Sequence, residues 1–98
     1  MIISITDRGD RLPSETWQWI HRRLMFVFSK FEYEVQEVRV EFKDPAENRS
    51  CVQPSCVMFL QTRVAGRLVM EDTNPDAKSS LSYLCRRAER EILRKLAQ

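Results

Sequence analysis

The sequence predicts an α+β fold: a two-layer sandwich in which two helices cover one face of a four-stranded mixed sheet. Three observations predict it. Residues 14–31 and 77–96 each repeat apolar side chains at helical spacing. Val38, Val40 and Phe42 alternate with Arg39, Glu41 and Lys43, the period of a strand with one buried face. The elements follow in the order β-α-β-β-β-α, so the first two strands pair in parallel through a right-handed helical crossover. The remaining strands then form an antiparallel meander, and each helix can bury its single apolar stripe on the same sheet face.

Met1 to Thr6 is short, apolar and β-branched, and reads as the first strand. A turn follows at Asp7-Arg8-Gly9-Asp10. Pro13 suits the first turn of a helix, Ser14 can cap it, and Glu15 suits its positive end. Trp17, Ile20, Leu24, Val27, Phe28 and Phe31 then share one face and form the expected core stripe. Trp19 and Phe26 stand one i, i+7 step apart on the opposite face, among Arg22, Arg23 and Lys30. Exposed aromatics among cations suit nucleic-acid stacking or a subunit interface; equally, another part of the chain can cover them.

After the alternating strand at 38–43, Asp44 to Ser50 is a polar loop. Cys56 to Val64 is apolar enough for a central strand, Ala65-Gly66 marks a turn, and Arg67 to Glu71 is the hairpin partner. Asp76 is the expected N-cap of the last helix. There Ala77, Leu81, Leu84, Cys85, Ala88 and Ile92 make the apolar stripe, while Arg86, Arg87, Arg90 and Arg94 fall in a second sector with Tyr83 among them. Lys95 falls inside the stripe and Leu93 outside it, so the end of the helix is expected to fray.

Ninety-eight residues suit a single domain, 1–98. No apolar run approaches the roughly 18 residues of a membrane span, and the N-terminus lacks the basic start and apolar core of a secretory signal. A cytoplasmic protein is the expectation. Net charge is only +2, but residues 14–31 carry +2 and residues 77–98 carry +4, whereas 32–50 carry −3 and 51–76 carry −1. The cations thus sit on the two helices. Three cysteines, Cys51, Cys56 and Cys85, exclude a full disulfide framework, and with the lone His21 they make a poor zinc set by spacing. Three ordinary thiols are the simpler reading, with no metal and no cofactor.

Arginine clustering points to anions, because the planar guanidinium grips phosphate oxygens bidentately and stacks on bases. Arg86, Arg90 and Arg94 form a like-charge i, i+4 ladder, which costs a few tenths of a kcal/mol per pair in an isolated helix. A solvated face is the competing explanation, since cations are favourable near a helix C-terminus. Enzymatic activity is not expected. His21 has no evident Ser, Cys or Asp partner, Glu89 and Glu91 are not on one face, and Gly9 and Gly66 make no phosphate loop.

The C-terminal half resembles the ribosome hibernation-promoting factors, also called the ribosome-associated inhibitor or sigma-modulation family. The matching features are a strand ending Val64-Ala65-Gly66, a strand Leu68-Val69-Met70, and Asp76-x4-Leu81-x2-Leu84-x4-Glu89-Arg90. A first strand followed by a Pro-started helix with Arg22-Arg23-Leu24 is similar too. Where the family often has an aromatic after the helix-opening aspartate, this chain has Ala77-Lys78-Ser79-Ser80. The resemblance is to the short form. It implies a double-stranded-RNA-binding-domain-like fold and a partner, the small ribosomal subunit, bound through its ribosomal RNA in the messenger and transfer RNA channel. It further implies that idle ribosomes are blocked and stabilised. Arg22, Arg23, Lys30, Lys78, Arg86, Arg87, Arg90 and Arg94 would be the RNA contacts, with Trp19 and Phe26 as stacking groups. The alternative is a non-enzymatic interaction module on the same fold, forming a homodimer or docking a partner through Trp19 and Phe26.

Overall fold

A computed structural model of the chain describes residues 1–8, 12–43 and 54–98. The expected Gly9-Asp10 turn, the polar loop at 44–50 and Cys51 lie outside the described residues. The elements are β1 (Ile2–Asp7), α1 (Ser14–Phe28) continued by a 3-10 turn (Ser29–Phe31), β2 (Val35–Lys43), β3 (Ser55–Thr62), β4 (Arg67–Thr73) and α2 (Ala77–Leu96). The sheet order is β1-β2-β3-β4. β1 pairs with β2 in parallel, and the other two pairs are antiparallel. This is the α+β architecture that the order of patterns predicts.

Register explains where the core sits. Ile3, Val38, Leu60 and Leu68 form one row across the sheet, and Ile5, Val40, Met58 and Met70 the next. Side chains alternate across a strand, so both rows face the helices. They meet Ile20, Leu24, Val27, Phe28 and Phe31 of the first helical segment, and Leu81, Leu84, Cys85, Ala88 and Ile92 of α2, in one hydrophobic cluster. Full burial of a side chain such as Phe28 or Leu84, both 0% exposed, contributes about 1.5–3 kcal/mol. The other sheet face carries Glu37, Arg39, Glu41, Phe59, Gln61 and Val69. As expected it is the wetter one: Arg39 and Val69 are exposed there.

Four local expectations need correcting. Trp17 is not in the core; it is 41% exposed and stacks on His21, with ring centroids 5.7 Å apart and planes 7° apart. Ser14 does not cap α1: the N-cap position is Pro13, which offers no side-chain acceptor, and Trp17 N–H donates to its carbonyl at 2.9 Å. β3 stops at Thr62 rather than Val64, because the Thr62 hydroxyl turns the chain. It accepts from Ala65 N–H and donates to the Gly66 carbonyl, both at 2.9 Å. Gly66 completes that turn at φ +67°, which favours glycine. Lastly, α2 does not fray after Ile92. It stays helical to Leu96, but its burial ends at Ile92: Leu93 and Leu96 are half exposed, and Lys95 is partly covered along its stem.

The start of α2 is fixed twice. The Asp76 carboxylate accepts from Lys78 N–H at 3.3 Å and from the Ser79 hydroxyl at 2.6 Å. Buried Ser80 donates its hydroxyl to Asp72 of β4 at 2.6 Å. The first bond caps the helix; the second anchors it to the sheet.

Candidate nucleic-acid interface

Because α1 and α2 lie on one face of the sheet, their cationic flanks meet along a groove. Arg23, Phe26, Val27 and Lys30 of the first segment line it opposite Ser82, Cys85, Arg86 and Glu89 of α2, around a volume of about 270 Å³. Phe26 is 70% exposed at the rim. Lys30 Nζ reaches Glu89 Oε1 at 2.6 Å across the groove. That pair is largely open to solvent, so it is worth at most about 1 kcal/mol. Its effect on charge is larger, since it commits Lys30 and places a carboxylate amid the cations.

Trp19 lies beside Arg23 but does not line the groove. It is half-buried against the margin of the core. The Arg23 guanidinium lies 5.4 Å from its ring centroid and the Lys78 ammonium 5.3 Å. Trp19 therefore receives one cation from each helix, and cover by the chain itself is the arrangement found. Burial leaves little of its ring for an incoming base, whereas Phe26 remains free.

A second concavity, about 280 Å³, lies on the outer face of α2 and is lined by Tyr83, Arg86, Arg87 and Arg90. These four are an i, i+3, i+4, i+7 set and so share one face. Arg87 Cζ stands 5.7 Å from the Tyr83 ring centroid. Among the described residues the ion pairs are Lys30–Glu89 and Arg94–Glu91. Arg22, Arg23, Lys78, Arg86, Arg87 and Arg90 thus have no carboxylate partner among those residues. Arg23, Lys30 and Arg86 meet in the groove, and Arg86, Arg87 and Arg90 meet beyond it. Arg22 and Arg94 are exposed and line neither hollow.

Sequence reasoning missed two participants. By spacing Glu89 shares no face with Glu91 and makes no catalytic pair with it, yet it turns across the groove to a residue 59 positions away; no local pattern carries that. Tyr83 did carry a signal, its helical register with three arginines.

The cysteines offer no competing chemistry among the described residues. Cys56 and Cys85 are buried and unbridged. Burial pushes both thiols up to about 12, so each stays protonated and unreactive at neutral pH.

Comparison with solved structures finds the same fold. A ribosomal subunit interface protein from Coxiella burnetii matches with TM-score 0.78 and 12% identity over 100% of both chains. The N-terminal domain of Protein Y from Thermus thermophilus matches with TM-score 0.71 and 12% identity, covering 96% of this chain and 98% of that one. At such identity the likeness is one of fold, and at that level the resemblance read from the sequence is borne out. No protein-family model matches the sequence, and no curated protein does. None of the helices is long and apolar enough to cross a membrane, among the described residues.

Proposed function

We propose that this chain is a non-enzymatic, ribosome-associated translation inhibitor that acts in the cytoplasm. It binds ribosomal RNA of the small subunit in the messenger and transfer RNA channel and stabilises idle ribosomes. The observation that carries this reading is the cluster of Arg86, Arg87 and Arg90 on the outer face of α2, without carboxylate partners among the described residues. It sits on a fold shared, over the full length, with a ribosomal subunit interface protein. Such a surface binds by neutralising phosphates and releasing counter-ions, and needs no catalytic group. Arg22, Arg23 and Lys78 extend the cationic surface, and Lys30 and Arg94 contribute where an incoming phosphate displaces Glu89 and Glu91 from them.

The test is co-sedimentation with purified small subunits across a salt series. Affinity should fall steeply with salt, and Arg86→Glu with Arg90→Glu should reduce it at least about a hundredfold at low salt, since two phosphate contacts become repulsions. Unchanged sedimentation of that double variant sinks the reading. Exposed Phe26 favours a second one, an interaction module in which it anchors a homodimer or another partner. That module gives a dimer that Phe26→Ala dissolves and salt barely affects.

A further inference from the structure

We propose that the hollow around Tyr83 is a subsite for one unstacked nucleotide of single-stranded RNA: the base stacks on Tyr83, and Arg86 and Arg90 hold the flanking phosphates. This rests on the RNA-binding reading above and specifies the form of RNA that it takes.

Tyr83 does not serve the core. It is 42% exposed and lies outside the hydrophobic cluster. Its ring forms part of a concavity whose other lining residues are three arginines. Its hydroxyl can donate to a phosphate, as many polar side chains do. What its ring adds is a π-face, which suits a base that has left its stack. An A-form duplex offers phosphates and 2′-hydroxyls at its surface and keeps its base faces inside. A single strand exposes them, and stacking on aromatic side chains is how such strands are held.

The geometry suits one nucleotide. Arg86 and Arg90 are one helical turn apart, about 6 Å along the axis at 1.5 Å per residue, and both line the hollow on the C-terminal side of Tyr83. Arg87 already lies over the ring at 5.7 Å, so a base entering the hollow meets both a ring and a guanidinium plane. Trp19, the more obvious stacking candidate by sequence, is held under Arg23 and Lys78. Phe26 is exposed beside Arg23 and Arg86, but its groove also holds the Glu89 carboxylate, whereas the other residues lining the hollow at Tyr83 are all arginines without a carboxylate partner among the described residues.

The experiment measures the anisotropy of labelled RNA bound to the full chain, using a single strand of about a dozen nucleotides and the blunt duplex of the same sequence. Wild type should prefer the single strand. Tyr83→Ala should weaken single-strand binding about tenfold, leave duplex binding unchanged, and keep the slope of affinity against salt, because no charge is lost. Tyr83→Phe should behave as wild type. An unchanged thermal midpoint for Tyr83→Ala separates these effects from unfolding. A duplex preference, no binding to either RNA, or a Tyr83→Ala chain that holds the single strand as wild type does would overturn the subsite. If Tyr83→Ala has no effect while the Arg86/Arg90 variant still loses small subunits, the subsite fails and ribosome binding stands. If the arginine variant also sediments normally, both fail.

Discussion

The two helices carry the same parts and use them differently. Each has an apolar stripe on the sheet and a cationic flank beside it. On α1 the flank is partly tied up within the molecule: Arg23 lies on Trp19, and Lys30, just beyond the helix, binds Glu89, while Arg22 is exposed without a carboxylate partner among the described residues. On α2 Arg86, Arg87 and Arg90 gather around a hollow with no carboxylate partner among the described residues. Their starts differ as well. Pro13 gives α1 no side-chain cap, whereas Asp76 caps α2 with two hydrogen bonds. Sequence shows the sign of a flank; only the fold shows whether its charge is free. On the proposed reading, the first helical segment serves mainly as a wall of the groove, and α2 presents the face that meets the partner.

The inner faces set the largest expected effect. Leu24 is 0% exposed among the core residues of α1, so Leu24→Ala should cost about 2–5 kcal/mol in urea unfolding. Trp17, seven residues earlier and expected by spacing in the same stripe, stacks on His21 in solvent. Trp17→Ala should stay within about 1 kcal/mol. Equal losses would mean that the stripe of α1 reaches Trp17 after all.

That pair also shows how much was legible in advance. The order of elements, the parallel first pair, the meander and the stripe of α2 all follow from periods of two and 3.6, which are local. The edges of a helical stripe are not. Trp17 falls within the angular range of the α1 stripe but in the first turn of the helix, and Trp19 falls outside that range, so what covers each depends on where α2 lies. Lys78 approaches Trp19, so Trp19 is sheltered and Trp17 is left out. Buried Ser80 and Thr62 were equally silent, because their partners, Asp72 and the Gly66 carbonyl, give a hydroxyl a place in the interior only once the strands have paired. For the candidate site, the sequence located every arginine, but it could not show Lys30 tied to Glu89 across the groove.

Glu89 gives a smaller effect, of opposite sign to most substitutions. Glu89→Gln should free Lys30 and remove a carboxylate from the groove. Small-subunit affinity should rise severalfold at low salt and depend more steeply on salt, by about one counter-ion. Stability should change by less than about 1 kcal/mol, since the pair is exposed. Glu91→Gln frees Arg94 on α2 itself and is the matched comparison. If releasing Lys30 does as much as releasing Arg94, the groove faces the partner as fully as α2 does. Should Glu89→Gln weaken binding instead, Glu89 is positioning Lys30 rather than quenching it.

The smallest effect concerns the helix starts. The hydrogen bond from the Ser79 hydroxyl, with those from the Lys78 and Ser79 backbone and the Lys78 charge, holds the Asp76 carboxyl below its ordinary value. A carboxyl lowered by folding adds stability above its unfolded value, near about 3.9, and loses it as pH falls through the folded one. Asp76→Asn keeps an oxygen for the Lys78 N–H but nothing that titrates in this range. The thermal midpoint of wild type should therefore exceed that of Asp76→Asn by a small, constant margin from neutral pH down to about 5, and the margin should close below about 4. At α1, Pro13 holds no titrating cap, so replacing it cannot reproduce this pH-dependent closing. A margin that persists at low pH would mean that Asp76 holds the start of α2 by geometry alone, without its charge.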